Sequence, residues 1–266
     1  MKGKKVGLAL GAGSARGLAH IGVLKVLEKH NIKVDYIAGT SIGALVGSLY
    51  AVGIPANMLE KLAHNLSTSS WVDLTIPRKG LVSGERVQEV IRLLTKGCTF
   101  EECKTPLKVV ATDIENGEKV IIDTGPIYKG VRASISIPGI FTPVEYLNKL
   151  LVDGAVTDRI PSSIVRQMGA DIVIAVDVNT FKPAINVNNI FDVLLQTFDI
   201  MEREVLKFRT VDADVLVKPD VKEIGSLQFT KVSEGIFAGV EAMEREIEKV
   251  KCLIEMGEDN ENKINI

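Results

Sequence analysis

Apolar residues along this chain fall into two kinds of run. Short blocks rich in strand formers, such as residues 5–10 and 36–38, each end in a glycine-containing turn. The segments that follow them carry apolar positions at helical spacing, as Leu18, Ile21, Leu24 and Leu27 do within residues 18–30. A second helix is predicted over residues 42–52. Strand, Gly-rich turn, helix, strand, Gly turn, helix is the opening of a layered α/β fold with a parallel sheet.

Farther along, Pro55 opens a helix to about residue 66. Residues 67–84 are polar and irregular, hold the only tryptophan, Trp71, with Pro77 and Gly80, and read as a mobile lid or entrance loop. A helix over 85–94 precedes strands at 107–112 and 119–123. A helix over 127–136 is ended by Pro138. Strands follow at 150–152, leading into Asp153-Gly154, and at 172–178. After Phe181-Lys182-Pro183 the character shifts to a long amphipathic helix (190–208), a short strand (215–217) and a charged helix (232–256). The amphipathic helix reads as a cover for the core rather than a membrane anchor. The expected organisation is a catalytic core over 1–182, a mostly helical extension over 183–256 packed on the same domain, and a disordered polar tail over 257–266.

Composition narrows the function classes. Hydrophobic residues make up 46% and charged residues 25%, which are globular proportions. The formal net charge of −2, with Lys and Arg scattered among Asp and Glu, offers no nucleic-acid-binding surface. Three cysteines, Cys98, Cys103 and Cys252, show no metal-ligand spacing to histidine, so no disulfide or metal site is expected and a reducing cytoplasm is the default. The basic N-terminus does not read as a signal peptide, because Gly11, Gly13 and Arg16 break the apolar stretch behind it. The most apolar run, 42–54, is too short to span a bilayer. Any membrane contact is expected to be peripheral, from the aqueous side.

Two glycine turns carry the candidate chemistry. Gly39-Thr40-Ser41-Ile42-Gly43 lies between a predicted strand and a predicted helix. In a chain of 23 glycines the bare pattern is weak; its placement gives it meaning. A nucleophile elbow needs a sharp strand-to-helix turn that lifts the serine oxygen clear of the sheet, with small neighbours to allow it. The other turn, Gly11-Ala12-Gly13-Ser14-Ala15-Arg16-Gly17, also joins a strand to a helix. Its N–H groups suit either a dinucleotide pyrophosphate or the oxyanion of an acyl intermediate. Arg16 breaks the G-x-G-x-x-G pattern, although Gly-x-Gly-x-x-x-Gly remains. The ribose-reading position at the end of the second strand holds Gly39-Thr40-Ser41 rather than an acidic residue, which favours acyl transfer.

A serine nucleophile needs a base, and the usual triad orders fail here. The histidines are His20, His30 and His64; none follows His64, and only Asp35 lies between a histidine and Ser41. They read as structural or surface residues, with His20 the best placed of them because it follows the Gly-rich loop. Among carboxylates, Asp153 ends an apolar strand before Gly154-Ala155. Taken alone, it reads as a turn-forming residue.

Together these blocks resemble the patatin-like phospholipase family, in its compact bacterial form. The matching pieces are Leu8-Ala9-Leu10-Gly11-Ala12-Gly13-Ser14-Ala15-Arg16-Gly17 with Ala19-His20-Ile21-Gly22-Val23-Leu24, then Gly39-Thr40-Ser41-Ile42-Gly43, Arg132-Ala133-Ser134-Ile135-Ser136-Ile137-Pro138 and Asp153-Gly154-Ala155, in the family's order. The resemblance spans residues 6–178. It implies a layered α/β/α fold with a mostly parallel central sheet, Ser41 as nucleophile, Asp153 as its base, and an oxyanion hole from the amides of Gly13, Ser14 and Ala15. Gly11, Arg16, Gly17, Gly39, Gly43 and Gly154 would support that geometry, Arg16 by bracing the loop. Ala12 and Ser14 stand where the family carries glycines, and Asp158 where many members carry Asn.

The function this implies is hydrolysis of lipid carboxylic esters, of phospholipase A or lysophospholipase type, with no cofactor and no metal. A less specific carboxylesterase or thioesterase would use the same dyad. Readings of another class are a nucleotide-binding reductase built on the first glycine loop, and a regulatory lipid-binding protein of low turnover. Ile137-Pro138-Gly139-Ile140-Phe141 and the Trp71 loop are candidates for an apolar acyl groove, and equally for packing.

Overall fold

A computed structural model describes residues 3–65, 80–179, 187, 190–206 and 211–262. Along the chain, β1 (Val6–Leu10) passes through a 3-10 turn (Ser14–Leu18) into α1 (Ala19–Lys29), and β2 (Tyr36–Thr40) turns into α2 (Ile42–Ala51), followed by α3 (Ala56–Asn65). The middle holds β3 (Gly80–Val82), α4 (Glu85–Leu94), β4 (Leu107–Asp113), β5 (Glu118–Ile122), α5 (Ile127–Ser134), β6 (Gly139–Phe141), β7 (Val144–Tyr146) and β8 (Lys149–Asp153). Then come α6 (Ser162–Gln167), β9 (Ile172–Val176), α7 (Ile190–Leu206), β10 (Val215–Val217) and α8 (Val232–Asn262).

Among the described residues an eight-stranded sheet runs β10-β9-β1-β2-β4-β8-β7, with β5 also paired to β4. The strands from β10 to β4 are parallel, and β5, β7 and β8 pair antiparallel at the far edge. β1 sits at the centre and is buried along its whole length, as a continuous apolar run requires. Side chains alternate between the two faces. Leu8, Leu10, Ile172, Ile174 and Val176 join the large core shared with α1, α2 and α8. Ala9, Ala38, Ala175 and Val173 face the other way, onto Ile164 and Val165 of α6. The alanines leave room for a short helix to lie close to the sheet.

β3, β6, β7 and α6 have no counterpart in the expected elements; they are three to six residues long and carry neither a helical stripe nor the β-rich apolar run that marks β10. β3 pairs with β6 in a separate two-stranded ribbon. Residues 66–79, including Trp71 and Pro77, and residues 207–210 lie outside the described residues. So do residues 263–266, while α8 continues to Asn262, past the expected end at Met256. Among the described residues after 183, Val215 and Val217 of β10 and Met243 and Ile247 of α8 join the same core. β10 extends the sheet, and α8 lies so close to α1 that a Cβ on Gly22 would stand 2.1 Å from the Ile236 carbonyl oxygen, and one on Gly239 2.0 Å from that of Ala19. Among the described residues no helix is long and apolar enough to cross a membrane.

Candidate active site

The pairing of β4 dictates where the two candidate catalytic side chains meet. β5 occupies one edge of β4 from Val109 to Asp113. β2, paired up to Thr40↔Val110, and β8, paired from Ala111↔Asp153, must therefore share the other edge. They run in opposite directions and end at consecutive positions of β4. Ser41 follows the last residue of β2, Asp153 is the last residue of β8, and the strand ends bring them face to face.

Ser41 Oγ donates to Asp153 Oδ2 at 2.6 Å. Both residues are nearly sealed from solvent, Ser41 at 6% exposure and Asp153 at 4%. Ser41 adopts φ 55° and ψ −123°, a region an L-residue enters only under constraint. Its N–H donates to Ser134 Oγ at 2.9 Å, and its carbonyl accepts from Ala44 and Leu45 at 2.9 and 3.1 Å. Gly43 is required by close approach, since a Cβ there would stand 2.1 Å from the Leu10 carbonyl oxygen.

Asp153 is held at three points. Its N–H donates to the Ser136 carbonyl at 2.9 Å, Oδ1 accepts from the Ala155 N–H at 2.9 Å, and Oδ2 takes the Ser41 hydroxyl. Burial pushes its carboxyl up to about 6, against the opposing pull of those donors and of the nearby Arg159 charge. The α5 terminus that supplies Ser134 and Ser136 is anchored by buried Arg132, which donates to Ser136 Oγ and to the carbonyls of Ser83, Gly84 and Thr142.

The first glycine loop lies beside this pair. Ala12, Gly13, Ser14, Ser41, Asp153 and Pro138 all line one cleft of about 40 Å³. Gly11 and Ala12 spend their N–H groups on the Val176 and Arg159 carbonyls. The Ala15 N–H donates to the Ser226 carbonyl at 3.1 Å, which corrects the expectation that it faces the oxyanion. The N–H groups of Gly13 and Ser14 have no partner among the described residues. Ser14 has φ 49°, the left-handed region in which a glycine at this position would be at ease. Arg16 braces the loop from behind, through Asp199 Oδ2 at 2.5 Å and Ser226 Oγ at 2.9 Å.

His20 is wholly buried and donates from Nε2 to the Gly11 carbonyl at 2.8 Å, so it holds the loop and does not reach Ser41. Burial drops its pKa to about 4, and it is neutral. Asp158 turns its carboxylate to Lys119 at 2.8 Å, while its carbonyl accepts from Thr40 Oγ1 at 2.9 Å, so its charge is directed away from Asp153. Ile137 and Pro138 line the cleft, whereas Ile140 is buried against Val82 and Leu195. Among the described residues no group of three or more His, Cys, Asp or Glu side chains could hold a metal ion.

Sequence reasoning missed what covers the cleft. Leu195, Phe198, Asp199 and Glu202 of α7 line it together with Ser41. Glu202 pairs with buried Arg159, whose other nitrogen donates to the Ala12 carbonyl at 3.0 Å. The helical spacing of 195, 198, 199 and 202 marks one face of a helix, but not what that face touches. A second cavity of about 300 Å³ shares Ala155, Val156, Phe198 and Glu202 with the cleft.

A family model described as patatin-like phospholipase matches residues 8–165, more than half of the chain and the span that holds Ser41 and Asp153. An uncharacterized NTE family protein of Mycobacterium tuberculosis is 35% identical over 181 residues, covering 66% of this chain and 49% of its own length. Lysophospholipase NTE1 of Debaryomyces hansenii is 29% identical over 272 residues, covering 90% of this chain and 18% of its own length. The chain thus spans about half of the mycobacterial relative and a smaller part of the yeast one. VipD from Legionella pneumophila shares the fold, with a TM-score of 0.67 at 12% identity, covering 94% of this chain and 67% of that one. The chain belongs to the patatin-like phospholipase family.

Proposed function

We propose that this protein hydrolyses carboxylic esters of lipids, as a phospholipase A or lysophospholipase, by a Ser41–Asp153 dyad. The observation that carries the reading is the 2.6 Å hydrogen bond between Ser41 Oγ and Asp153 Oδ2, made by a serine held at positive φ where two strand ends converge. In this mechanism Ser41 Oγ attacks the ester carbonyl as its proton passes to Asp153 Oδ2. The N–H groups of Gly13 and Ser14 receive the oxyanion; a donor of this kind is typically worth about 3–4 kcal/mol. Collapse of the tetrahedral intermediate breaks the ester C–O bond, and the proton on Asp153 passes to the departing alcohol oxygen. Water then attacks the acyl-enzyme and gives a proton to Asp153; as the acyl C–Oγ bond breaks, that proton passes to Ser41 Oγ, releasing the fatty acid and restoring the free serine.

Burial suits Asp153 to this task. A carboxylate with a pKa near 6 is ionised at neutral pH, yet it is a stronger base than an exposed aspartate. A lipid substrate accords with the family and with the apolar wall of Ile137 and Pro138 beside Ser41. Peripheral contact with a lipid surface is part of the same reading. It is supported by the exposed Val193, Ile200, Met201 and Val205 on α7. A fluorophosphonate probe should label Ser41, located by mass spectrometry, and Ser41→Ala should abolish both labelling and release of fatty acid from lysophosphatidylcholine. Wild-type turnover by Ser41→Ala would refute the mechanism.

A further inference from the structure

The cleft beside Ser41, about 40 Å³, is too small for an acyl ester, and α7 contributes Leu195, Phe198, Asp199 and Glu202 to its walls. The helix is held by two ion pairs, Arg16 with Asp199 and Arg159 with Glu202. Neither guanidinium is where a surface latch would be. Their side chains are 6% and 3% exposed, and the Nε of each is buried with no hydrogen-bond partner among the described residues. Both are built into the loop with the free N–H groups, Arg16 as a member of it and Arg159 through the Ala12 carbonyl. They lie close enough that the charge of Arg16 lowers the proton affinity of Arg159.

Two buried like charges with unused donors form a site for an anion. While α7 is down, its carboxylates supply the negative charge. When α7 leaves, both arginines lose the carboxylates paired to them directly. Among the described residues Arg16 keeps only Ser226 Oγ, and Arg159 keeps the Ala12 carbonyl and the more general field of Asp177. A buried guanidinium without a directly paired carboxylate is unfavourable. Opening is therefore coupled to the arrival of another anion. Phosphate fits best, because it offers several oxygens to two planar forks and can also accept the unused Nε–H groups. In a phospholipid the phosphate lies a few bonds from the acyl ester, as this loop lies beside Ser41.

We propose that Arg16 and Arg159 form the subsite for the phosphate of a phospholipid head group, and that the carboxylates of Asp199 and Glu202 fill it here as an internal stand-in that keeps the active site shut. The proposal rests on the hydrolase reading above for its substrate, but not for its anion site. It makes α7 a competitive occupant: substrate opens the site by replacing the carboxylates.

The test compares lysophosphatidylcholine with the monoacylglycerol of the same chain, which lacks the phosphate, using wild type, Asp199→Asn/Glu202→Gln and Arg159→Met. The double variant keeps α7 nearly isosteric and both arginines in place. It should hydrolyse both substrates at least threefold faster than wild type, and millimolar inorganic phosphate should inhibit it and raise its Tm. Arg159→Met should lower kcat/KM for lysophosphatidylcholine at least tenfold more than for monoacylglycerol, mainly through KM. If Arg159→Met does not fold, Arg159→Lys, which keeps the charge but not the planar fork, should show the same selective loss on lysophosphatidylcholine in smaller measure. Wild-type rates on both substrates, with no response to phosphate, would overturn the proposal. Phosphate binding without any preference for the phosphorylated lipid would overturn the head-group assignment. If no variant hydrolyses either ester yet phosphate still raises the Tm of the double variant, the anion site stands and the hydrolase reading falls.

Discussion

Replacing Asp153 by Asn keeps the shape of the side chain and removes its charge, so it separates what burial costs from what the carboxylate does. Burial moves this carboxyl from the usual 3.8 to about 6. Between those values the native protein retains a proton that the unfolded chain has released. Native stability therefore falls as pH rises through this window and levels off above about 6. A shift of roughly two units corresponds to about 3 kcal/mol. Near pH 4 both the protonated acid and the amide are neutral, and either can accept from the Ala155 N–H. The difference between Asp153→Asn and wild type should thus be small at pH 4 and approach about 3 kcal/mol in favour of the variant at pH 8. The wild-type curve alone would hide this. Neutral, buried His20 acts in the opposite sense, stabilising above about 6.5 and losing that contribution as pH falls towards 4. Urea unfolding of both proteins from pH 4 to 8 cancels His20 in the difference. In parallel, wild-type ester hydrolysis should rise with pH with a midpoint near 6, while the variant stays inactive throughout. A stability difference that does not change between pH 4 and 8, or wild-type activity flat from pH 5 to 8, would refute the reasoning.

Other perturbations test the supports of the site. Ser134→Ala strands the Ser41 N–H in a buried position, which should cost about 1–3 kcal/mol in stability and lower kcat more than KM for an aryl ester. Gly43→Ala drives a methyl group against the Leu10 carbonyl; thermal unfolding should show a loss of about 1–3 kcal/mol or more, with fluorophosphonate labelling of Ser41 slowed in whatever folds. Gly239→Ala makes a similar collision between α8 and the Ala19 carbonyl at the start of α1, so thermal unfolding should show a loss of similar size.

Which parts of this protein could be read from sequence follows from how far apart the cooperating residues lie. The opening β1-α1-β2-α2 order was legible because each element announces itself within a dozen residues, by an apolar run or a helical stripe ended by glycine. Ser41 was legible for the same reason: the elbow's demands, a positive φ at Ser41 and no Cβ at Gly43, fall within one pentapeptide. Asp153 was not legible from its neighbourhood. Its meaning depends on β2 and β8 sharing one edge of β4, a register that no local pattern encodes, and only the order of four sequence blocks pointed to it. The oxyanion loop was legible as a loop but not in its donor assignment. The N–H of Ala15 is taken by Ser226, a residue with no signal of its own. The cover was the least legible part, since α7 reads as an ordinary amphipathic helix and the partners of its carboxylates lie far away, Asp199 meeting Arg16 across 183 positions. Local rules recover the groups that the proposed chemistry uses, because the backbone must be bent to present them. They miss what controls access to those groups, because that control resides in charges brought together only by the finished fold. Arg16 belongs to both classes: its place in the glycine loop is visible in the sequence, and its bond to α7 is visible only in the structure.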